Sequence, residues 1–285
     1  MMIAITGASG FIGTKLALRL RTEGYGIAPV SLRGVTDPSV LAAKVRGCGA
    51  IVHLAGEPVA QRWTAAAKQR IRDSRVLGTR LLVDAIAQMD AKPQVLVSTS
   101  AIGYYGSRGD EVLTEGSSPG SDFLAQVVRD WEAEARRAES FGVRVVLPRV
   151  GLVLGTEGGV LQKLLLPFRL GLGGRLGSGK QWSSWIHVDD LTSLFEFAIL
   201  EPRITGPLNA VAPNPLTNAE FTRALAKAVH RPALFPVPEF ALKLGAGEMA
   251  EMLLGGQRVL PHATEAAGFR FRHPRLADAL EQLLQ

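Results

Sequence analysis

The chain has 285 residues, of which 47% are hydrophobic and 20% are charged, and it contains one cysteine, Cys48. This composition is typical of a globular protein, and no apolar run approaches the roughly 20 residues that a membrane-spanning helix needs. The net charge of +6 comes from arginines spread along the predicted helices, so we expect neither a nucleic-acid nor a membrane partner. A single cysteine excludes an internal disulfide and predicts a reducing compartment, the cytoplasm.

Three glycines follow the first predicted strand, MIAI, in the stretch ITGASGFIGTK. Glycine removes the Cβ that would hold a pyrophosphate away from the backbone, and the helix that follows offers unpaired N–H groups at its positive end. A glycine turn between a strand and a helix therefore predicts a dinucleotide site. The predicted contacts are Gly7, Ser9, Gly10, Phe11, Ile12 and Gly13.

The end of the second predicted strand indicates which dinucleotide is bound. An NAD site usually has a carboxylate there for the ribose 2′-hydroxyl, but in VSLRG the charged residue is Arg33, and no acid occurs before Asp37. A guanidinium can bind a 2′-phosphate with paired, charge-assisted hydrogen bonds. We therefore predict NADP(H) as the cofactor; the alternative is that Arg33 is a solvated loop residue.

Apolar runs alternate with amphipathic segments through the first 150 residues. After MIAI, these runs are IAPVSL, AIVHLA, QVLVST and VRVVLP. This βαβα order predicts an α/β fold with a Rossmann-type doubly wound parallel sheet. We assign residues 1–150 to a dinucleotide-binding domain, completed by residues 186–212.

The alternation ends after Gly155. The run GLGGRLGSGKQW leads into WIHVDD and a predicted helix over 191–200, with Asp189 or Asp190 as its N-cap. GRLGSGKQ departs from a P-loop at Gln181, where a hydroxyl residue is needed, so we predict a flap over the cleft. Trp182 either faces the substrate there or anchors the loop. Residues 151–285 thus form a flap and a smaller C-terminal substrate lobe, mostly helical beyond residue 200.

Several motifs occur together in a recognisable order: TGASGFIG, HLAG, SRVLGT, STSAIGYYG and WIHVDD. In these motifs the chain resembles the extended short-chain dehydrogenases/reductases, in their NAD(P)-dependent epimerase/dehydratase-like branch. Longer stretches such as GEPVAQRW, RVGLVLGTEGGVL and GFRFRHP resemble an atypical subgroup with a distinctive C-terminal domain, sometimes labelled cell-division inhibitor-like.

The resemblance implies further cofactor contacts. Leu54, Ala55 and Gly56, at the end of the third strand, would lie beneath the adenosine side of the cofactor, and Ser98 would approach the nicotinamide half. His53 is expected to be structural, since no second metal ligand stands at suitable spacing, and we predict no metal site. Many relatives pair through two long helices, here predicted over 64–89 and 122–141, so we expect a monomer or a homodimer.

The catalytic Tyr and Lys of this family are missing. The helix expected to carry YxxxK reads DFLAQVVRDWEAEA, with Leu124 and Val128 in the two positions. A phenol needs cationic help to release a proton near neutral pH. As replacements we name Tyr104 and Tyr105, in the loop after the fourth strand, with Ser100 beside them. The alternative is that both tyrosines only pack at the sheet edge.

These observations lead to three functional hypotheses. The first is hydride transfer between NADP(H) and a small carbonyl or sugar-like substrate. The second is a nucleotide-sugar epimerase or dehydratase, which the missing Tyr and Lys disfavour. The third is a catalytically silent protein that senses NADP(H).

Overall fold

The computed structural model describes all 285 residues and contains thirteen strands and eleven α-helices. The strands are β1 (Met2–Thr6), β2 (Gly26–Val30), β3 (Ala50–His53), β4 (Val95–Ser98), β5 (Ser100–Ala101), β6 (Val112–Leu113), β7 (Arg144–Val150), β8 (Leu152–Leu154), β9 (Trp182–Ser183), β10 (Trp185–His187), β11 (Gly206–Ala210), β12 (Leu216–Thr217) and β13 (Arg258–Val259).

The helices are α1 (Phe11–Thr22), α2 (Pro38–Val45), α3 (Ala65–Ala87), α4 (Phe123–Arg136), α5 (Gly159–Arg169), α6 (Val188–Leu200), α7 (Asn218–Ala228), α8 (Glu239–Ala246), α9 (Ala250–Leu254), α10 (His262–Ala266) and α11 (Leu276–Leu284). Short 3-10 helices cover Ile102–Tyr105, Arg137–Phe141 and Gly247–Met249. None of the helices combines the length and the apolar character required to cross a bilayer.

The main sheet has the strand order β2-β1-β3-β4-β7-β11, and every neighbouring pair is parallel. The chain runs outward in one direction from β1 to β2 and in the other from β3 to β11. Adjacent strands β1 and β3 therefore form the topological switch point, where ligands of such sheets bind at the carboxyl ends of the strands. This arrangement confirms the predicted doubly wound parallel sheet.

Both faces of the sheet are covered by helices. Ile3 and Ile5 of β1 belong to an apolar cluster with α1 and α6, whereas Ala4 between them belongs to a second cluster with α2 and α3. This alternation follows from the period of two along a strand. Strand β11 and helix α6 are part of this layered unit, although the segment predicted to form a flap precedes them in sequence.

Strand β2 is the outer edge of the main sheet. Its Pro29 pairs in register with Ile5 of β1. Proline lacks the backbone N–H that a further strand would need, so it suits an edge position. The sheet ends at this strand, and the loop that carries Arg33 follows it directly.

The lobe has its own apolar core. Helices α5, α7 and α11 contribute to a cluster of buried residues that includes Leu161, Trp185, Phe221, Leu225 and Leu280. Trp185 is fully buried, and its Nε1 donates to the carbonyl of Asn214 at 3.1 Å. Trp185 is thus an anchor of the lobe.

The N-cap predicted for the helix after WIHVDD is wrong by a few residues. Helix α6 begins at Val188, and its N-cap is His187, whose Nδ1 accepts from the backbone N–H of Asp189 at 3.1 Å. Asp189 and Asp190 lie inside the first turn, where carboxylates stabilise the positive end of the helix. Asp190 also accepts from the backbone N–H of Arg272 at 2.8 Å, which ties the C-terminal segment to α6.

Candidate functional site

The glycine turn after β1 has the backbone geometry of a phosphate cradle. Gly7 has φ +70°, and a Cβ there would lie 2.9 Å from the backbone nitrogen of Ala55. A Cβ on Gly13 would lie 2.2 Å from the carbonyl oxygen of Gly7. A Cβ on Gly10 would meet only that same oxygen, at 3.3 Å, and would otherwise enter open space. Since no side chain caps α1, its first N–H groups are free to bind an anion.

A loop from the second half of the chain holds the start of α1. The ring of Phe11 packs against Gly155 and Gly158, where an added Cβ would come within 2.4 Å and 2.3 Å of the ring. Lys15 of α1 also forms an ion pair with Glu157 at 2.8 Å. The backbone of the turn is therefore positioned by residues more than 140 positions away.

Arg33 is exposed in the loop after β2, and its side chain has no partner in the protein. The next acid along the chain, Asp37, is the N-cap of α2 and accepts from the backbone N–H of Ser39 at 2.8 Å. Hydrogen bonds from the side chain and backbone of Ser39 lower the pKa of this carboxyl. The carboxylate of Asp37 is therefore already hydrogen-bonded to Ser39, and Arg33 is the charged group without a partner at the end of β2.

His53 connects three elements of the fold. Its Nδ1 lies 2.6 Å from Oγ1 of Thr6 and its Nε2 lies 3.0 Å from Oγ1 of Thr79. Oγ1 of Thr6 also accepts from the backbone N–H groups of Leu54 and Ala55, at 3.1 Å and 3.3 Å. Burial, and then the charge of Arg75, lower the pKa of His53 to about 4. A neutral His53 therefore fixes the two residues that follow β3.

Arg75 of α3 was missed by the sequence analysis. Its Cζ lies 3.3 Å from the Cβ position of Gly56, and its Nη1 donates to the carbonyl of Glu57 at 2.9 Å. Its Nε and Nη2 have no partner in the protein, and burial lowers its pKa to about 10. The spacing of residues in the sequence could have indicated its burial. Arg75 lies four residues after buried Ile71 and four before buried Thr79, and residues at this spacing share one face of a helix.

Two buried hydroxyl groups at the end of β4 have no hydrogen-bond partner. They are Oγ of Ser98 and Oγ1 of Thr99. Thr99 stands between β4 and β5, which pair with β7 one after the other, and its backbone N–H donates to the carbonyl of His53 at 3.0 Å. Buried polar groups are nearly always paired, so this strand break fits a site where a bound molecule supplies the partners.

Ser100 and Tyr105 belong to a buried network. Oγ of Ser100 donates to Oε1 of Glu132 at 2.6 Å, and the hydroxyl of Tyr105 donates to Oδ1 of Asn209 at 2.7 Å. Nη1 of Arg149 donates to the Tyr105 hydroxyl at 3.0 Å and joins the two pairs. All five residues, taken with their backbone atoms, are at most 5% exposed.

This network corrects part of the predicted catalytic set. Tyr105 is fully buried, and burial raises its pKa to about 12. Ser100 is 2% exposed, and its hydroxyl group already donates a hydrogen bond to Glu132. Both residues hold the fold together and neither offers a free group to a substrate. Tyr104 is different: it is half-buried, its hydroxyl has no partner in the protein, and Arg149 lies 3.4 Å from its ring centroid.

The positions expected for the family's Tyr and Lys contain apolar side chains near this tyrosine loop. Cβ of Leu124 lies 3.5 Å from the Cβ position of Gly103, and Val128 is buried. Helix α4 itself therefore contributes no phenol or ammonium group that could replace the usual relay.

One cluster has a composition compatible with a metal site. His187, Asp189 and His273 bring one ligand atom each within 4.8 Å of one another. However, Nδ1 of His187 accepts the capping hydrogen bond of α6, and its Nε2 lies 2.8 Å from Oε1 of Gln282. Burial and the neighbouring His273 lower the pKa of His187. Both ring nitrogens of His187 are thus already hydrogen-bonded within the protein.

Comparisons with known proteins extend over the whole chain. A profile of the NAD dependent epimerase/dehydratase family matches residues 3–209, and one of a domain of unknown function, DUF1731, matches residues 237–283. The chain is 40% identical to the epimerase family protein SDR39U1 homolog, chloroplastic, of Arabidopsis thaliana, over 100% of this chain and 87% of that protein. It is 42% identical to the epimerase family protein MT2273 of Mycobacterium tuberculosis, over 98% of this chain and 96% of that one.

A solved structure shows the same agreement in three dimensions. It is the crystal structure of human epimerase family protein SDR39U1, isoform 2, with NADPH. The TM-score is 0.93 at 36% sequence identity, and the superposition covers 100% of this chain and 99% of the human chain. The lobe as well as the sheet therefore follows the human protein.

Proposed function

Because the chain belongs to the NAD-dependent epimerase/dehydratase family, as its motifs suggest, we propose that it binds NADP(H) and acts as an atypical short-chain dehydrogenase/reductase. In this proposal it transfers hydride to or from an unidentified carbonyl or sugar-like small molecule. The observation that carries the proposal is the open space beside Gly10, at an uncapped helix N-terminus on the switch point of the sheet. The NADPH named with the human structure supports it.

Each predicted cofactor contact has a role in this proposal. The backbone from Gly7 to Gly13, including Ser9 and Ile12, holds the pyrophosphate, and Arg33 binds the 2′-phosphate as an exposed and unpaired cation. Leu54, Ala55 and Gly56 support the cofactor from below. The unpaired hydroxyl groups of Ser98 and Thr99 face its nicotinamide half. Bound NADP(H) supplies or accepts the hydride.

The proton needs a separate donor. Of the three predicted catalytic residues, we retain only Tyr104, whose hydroxyl is free while its ring lies against the guanidinium of Arg149. The guanidinium holds the ring by a cation–π contact and leaves the hydroxyl without a partner in the protein, so this hydroxyl is the one we assign to the substrate.

A second function is favoured by the same network. Ser100 and Tyr105 are buried and hydrogen-bonded within the protein, so neither is available for catalysis. This arrangement supports a protein that binds NADP(H) as a sensor and does not turn it over. Epimerase or dehydratase activity has weaker support, because no Tyr and Lys pair stands on α4. Product formed without net consumption of cofactor would identify it.

The test of the proposal is a titration of the purified protein with NADPH and with NADH. We expect NADPH to bind more tightly, and Arg33→Ala to reduce this affinity about tenfold or more while NADH binding stays unchanged. Arg46→Ala, another exposed arginine of the same layer, serves as the control. Equal NADPH affinity in Arg33→Ala would contradict the role of the guanidinium, and no uptake of either nucleotide would contradict the whole proposal.

Compartment and assembly follow from less specific features. The single thiol, on Cys48, is buried and suits a reducing compartment, for which we propose the cytoplasm.

Helices α3 and α4 pack on each other and are joined by ion pairs such as Arg72 with Asp130 at 2.8 Å. Leu77 is the only large apolar side chain on these two helices that is exposed. This polar outer face favours the monomer over a homodimer.

A further inference from the structure

Arg258, the first residue of β13, is a half-buried cation without a partner. Its Nε is buried and forms no hydrogen bond, and none of its nitrogens takes part in an ion pair. Every other arginine that is buried or half-buried has a hydrogen-bond partner in the protein. These arginines are Arg19, Arg72, Arg75, Arg108, Arg136, Arg144 and Arg149. Taking a cation out of water without a partner is costly. Arg258 is therefore the exception that needs an explanation.

Trp182 holds this guanidinium by a cation–π contact. Cζ of Arg258 lies 4.5 Å from the ring centroid of Trp182. The indole is itself fixed, because its Nε1 donates to Oδ1 of Asp110 at 2.7 Å. Asp110 forms no ion pair with Arg258. A cation–π contact with an aromatic ring uses none of the N–H donors of a guanidinium, so Trp182 positions Arg258 without occupying its donors.

The backbone on both sides of Arg258 is fixed as well. Oγ of Ser184, which is 1% exposed, donates to the carbonyl of Gln257 at 2.8 Å and accepts from the backbone N–H of Val259 at 3.0 Å. A Cβ on Gly256 would lie 2.5 Å from the backbone nitrogen of Trp182. Only glycine thus permits the close approach of this segment to the flap.

This position belongs to the proposed substrate side of the cleft. Strand β13 pairs with β6, and Val259 is buried in a cluster with Ile102 and Tyr105, against which Tyr104 packs. The backbone of Arg258 is therefore next to the loop that carries the free phenol, and its side chain contacts Trp182. Arg33, by contrast, lies at the far edge of the sheet, beyond β1.

We propose that Arg258 binds an oxyanion of the substrate, a carboxylate or a phosphate, and that the substrate is therefore an anionic carbonyl compound. This inference deepens the proposed function and rests on it for the reaction, but not for the anion site. A planar guanidinium with free N–H groups matches two oxygen atoms of either oxyanion. The bound anion supplies the partner that Arg258 lacks inside the protein.

The test measures the binding of inorganic phosphate, and separately of acetate, to the NADPH-saturated protein by calorimetry. Arg258→Gln should weaken the binding of the better of the two anions about tenfold or more. Arg258→Lys should give an intermediate loss, since it keeps the charge but not the planar fork. Arg270→Gln removes an exposed arginine from the same part of the chain and should bind as the parent does. Thermal melting of each variant shows that it is folded.

Two results would overturn the proposal. One is equal anion affinity in the parent and in folded Arg258→Gln; the other is no binding of either anion by the parent at millimolar concentrations. Which anion binds decides between phosphate and carboxylate. A separate NADPH titration tests the cofactor site. The anion affinities of the parent and of Arg258→Gln are also compared in the absence of cofactor. Failure of the cofactor site and failure of the anion site are thus distinguished.

A second measurement uses matched carbonyl compounds. NADPH oxidation is followed with glyceraldehyde 3-phosphate against glyceraldehyde, and with pyruvate against methyl pyruvate. The parent should prefer the anionic member of a pair that reacts, and Arg258→Gln should lose this preference through a higher KM. A preference that survives in Arg258→Gln would contradict the assignment, and if no pair reacts, the anion titration decides.

Discussion

Arg149 and Glu132 form a bidentate ion pair inside the protein, with Nε 2.8 Å from Oε1 and Nη2 2.9 Å from Oε2. The two side chains are 3% and 6% exposed. This pair joins α4 to the last residues of β7, next to the loop of Tyr104 and Tyr105. The ion pair therefore fixes the position of the loop that carries Tyr104 and Tyr105.

Removing one charge of this pair should strongly destabilise the protein. Glu132→Gln leaves the Arg149 cation buried without its counter-ion, and we expect the free energy of unfolding to fall by about 3 to 5 kcal/mol. Asp130 lies on the same helix as Glu132, and Asp130→Asn, which opens its half-exposed ion pair with Arg72 of α3, should cost less than about 1 kcal/mol. Denaturant titration of both variants measures the difference, and equal losses would contradict the structural role of the buried pair.

The two neighbouring tyrosines should respond differently to loss of the hydroxyl. Tyr105→Phe leaves Asn209 and Arg149 each short of a partner and should cost about 1 to 3 kcal/mol of stability, with little effect on turnover. Tyr104→Phe should lower turnover about 100-fold or more and leave stability nearly unchanged. Single-turnover NADPH oxidation and thermal melting provide the two readouts. A folded Tyr105→Phe protein without turnover would show that the buried phenol is the acid after all.

The space beside Gly10 should be needed for binding and not for folding. Gly10 has φ −77°, which any residue adopts, and the carbonyl oxygen of Gly7, 3.3 Å from the Cβ position, has to shift only slightly, so Gly10→Val should fold. The added side chain enters the phosphate position, and we expect NADPH affinity to fall about 100-fold or more. Gly116→Val is the control, because nothing lies within 4 Å of its Cβ position. If NADPH binds Gly10→Val as tightly as the control, the cradle is elsewhere.

Stability should depend on pH through His53. Its pKa is about 4 in the folded protein, below the ordinary value of 6.5, so the unfolded chain binds the proton first as the pH falls. The free energy of unfolding should therefore decrease from about pH 6.5 downwards, by about 2 kcal/mol at about pH 5. Other groups titrate there too, so the measurement is the difference between the parent and His53→Asn in urea titrations. A parallel pH dependence in both proteins would exclude His53 as the source.

The sequence predicted those parts of the site that are local in the chain. The glycine turn, the strand before it and the helix after it lie within about twenty residues, and glycine at 7, 10 and 13 has a direct physical meaning for the backbone. The position of Arg33 relative to the turn follows from the same βαβ order. The N-cap of α6, His187, was not predicted because histidine is a rarer N-cap than the two aspartates that follow it.

The parts that could not be predicted depend on contacts between distant positions. Ser100 meets a glutamate 32 residues away, and Tyr105 meets an asparagine 104 residues away. From the sequence, a hydroxyl group at a strand end looks the same whether it faces a cleft or a buried carboxylate. Arg258 has no local motif, and only the packing of β13 beneath the flap shows that it has no partner.

The position of β2 at the edge of the sheet has a consequence for evolution. No strand packs outside it, so Arg33 can be replaced without disturbing any neighbour, and exposed replacements of this kind usually change stability by less than about 0.5 kcal/mol. In the proposed cofactor site, a replacement of Arg33 would therefore need no compensating mutation in the interior.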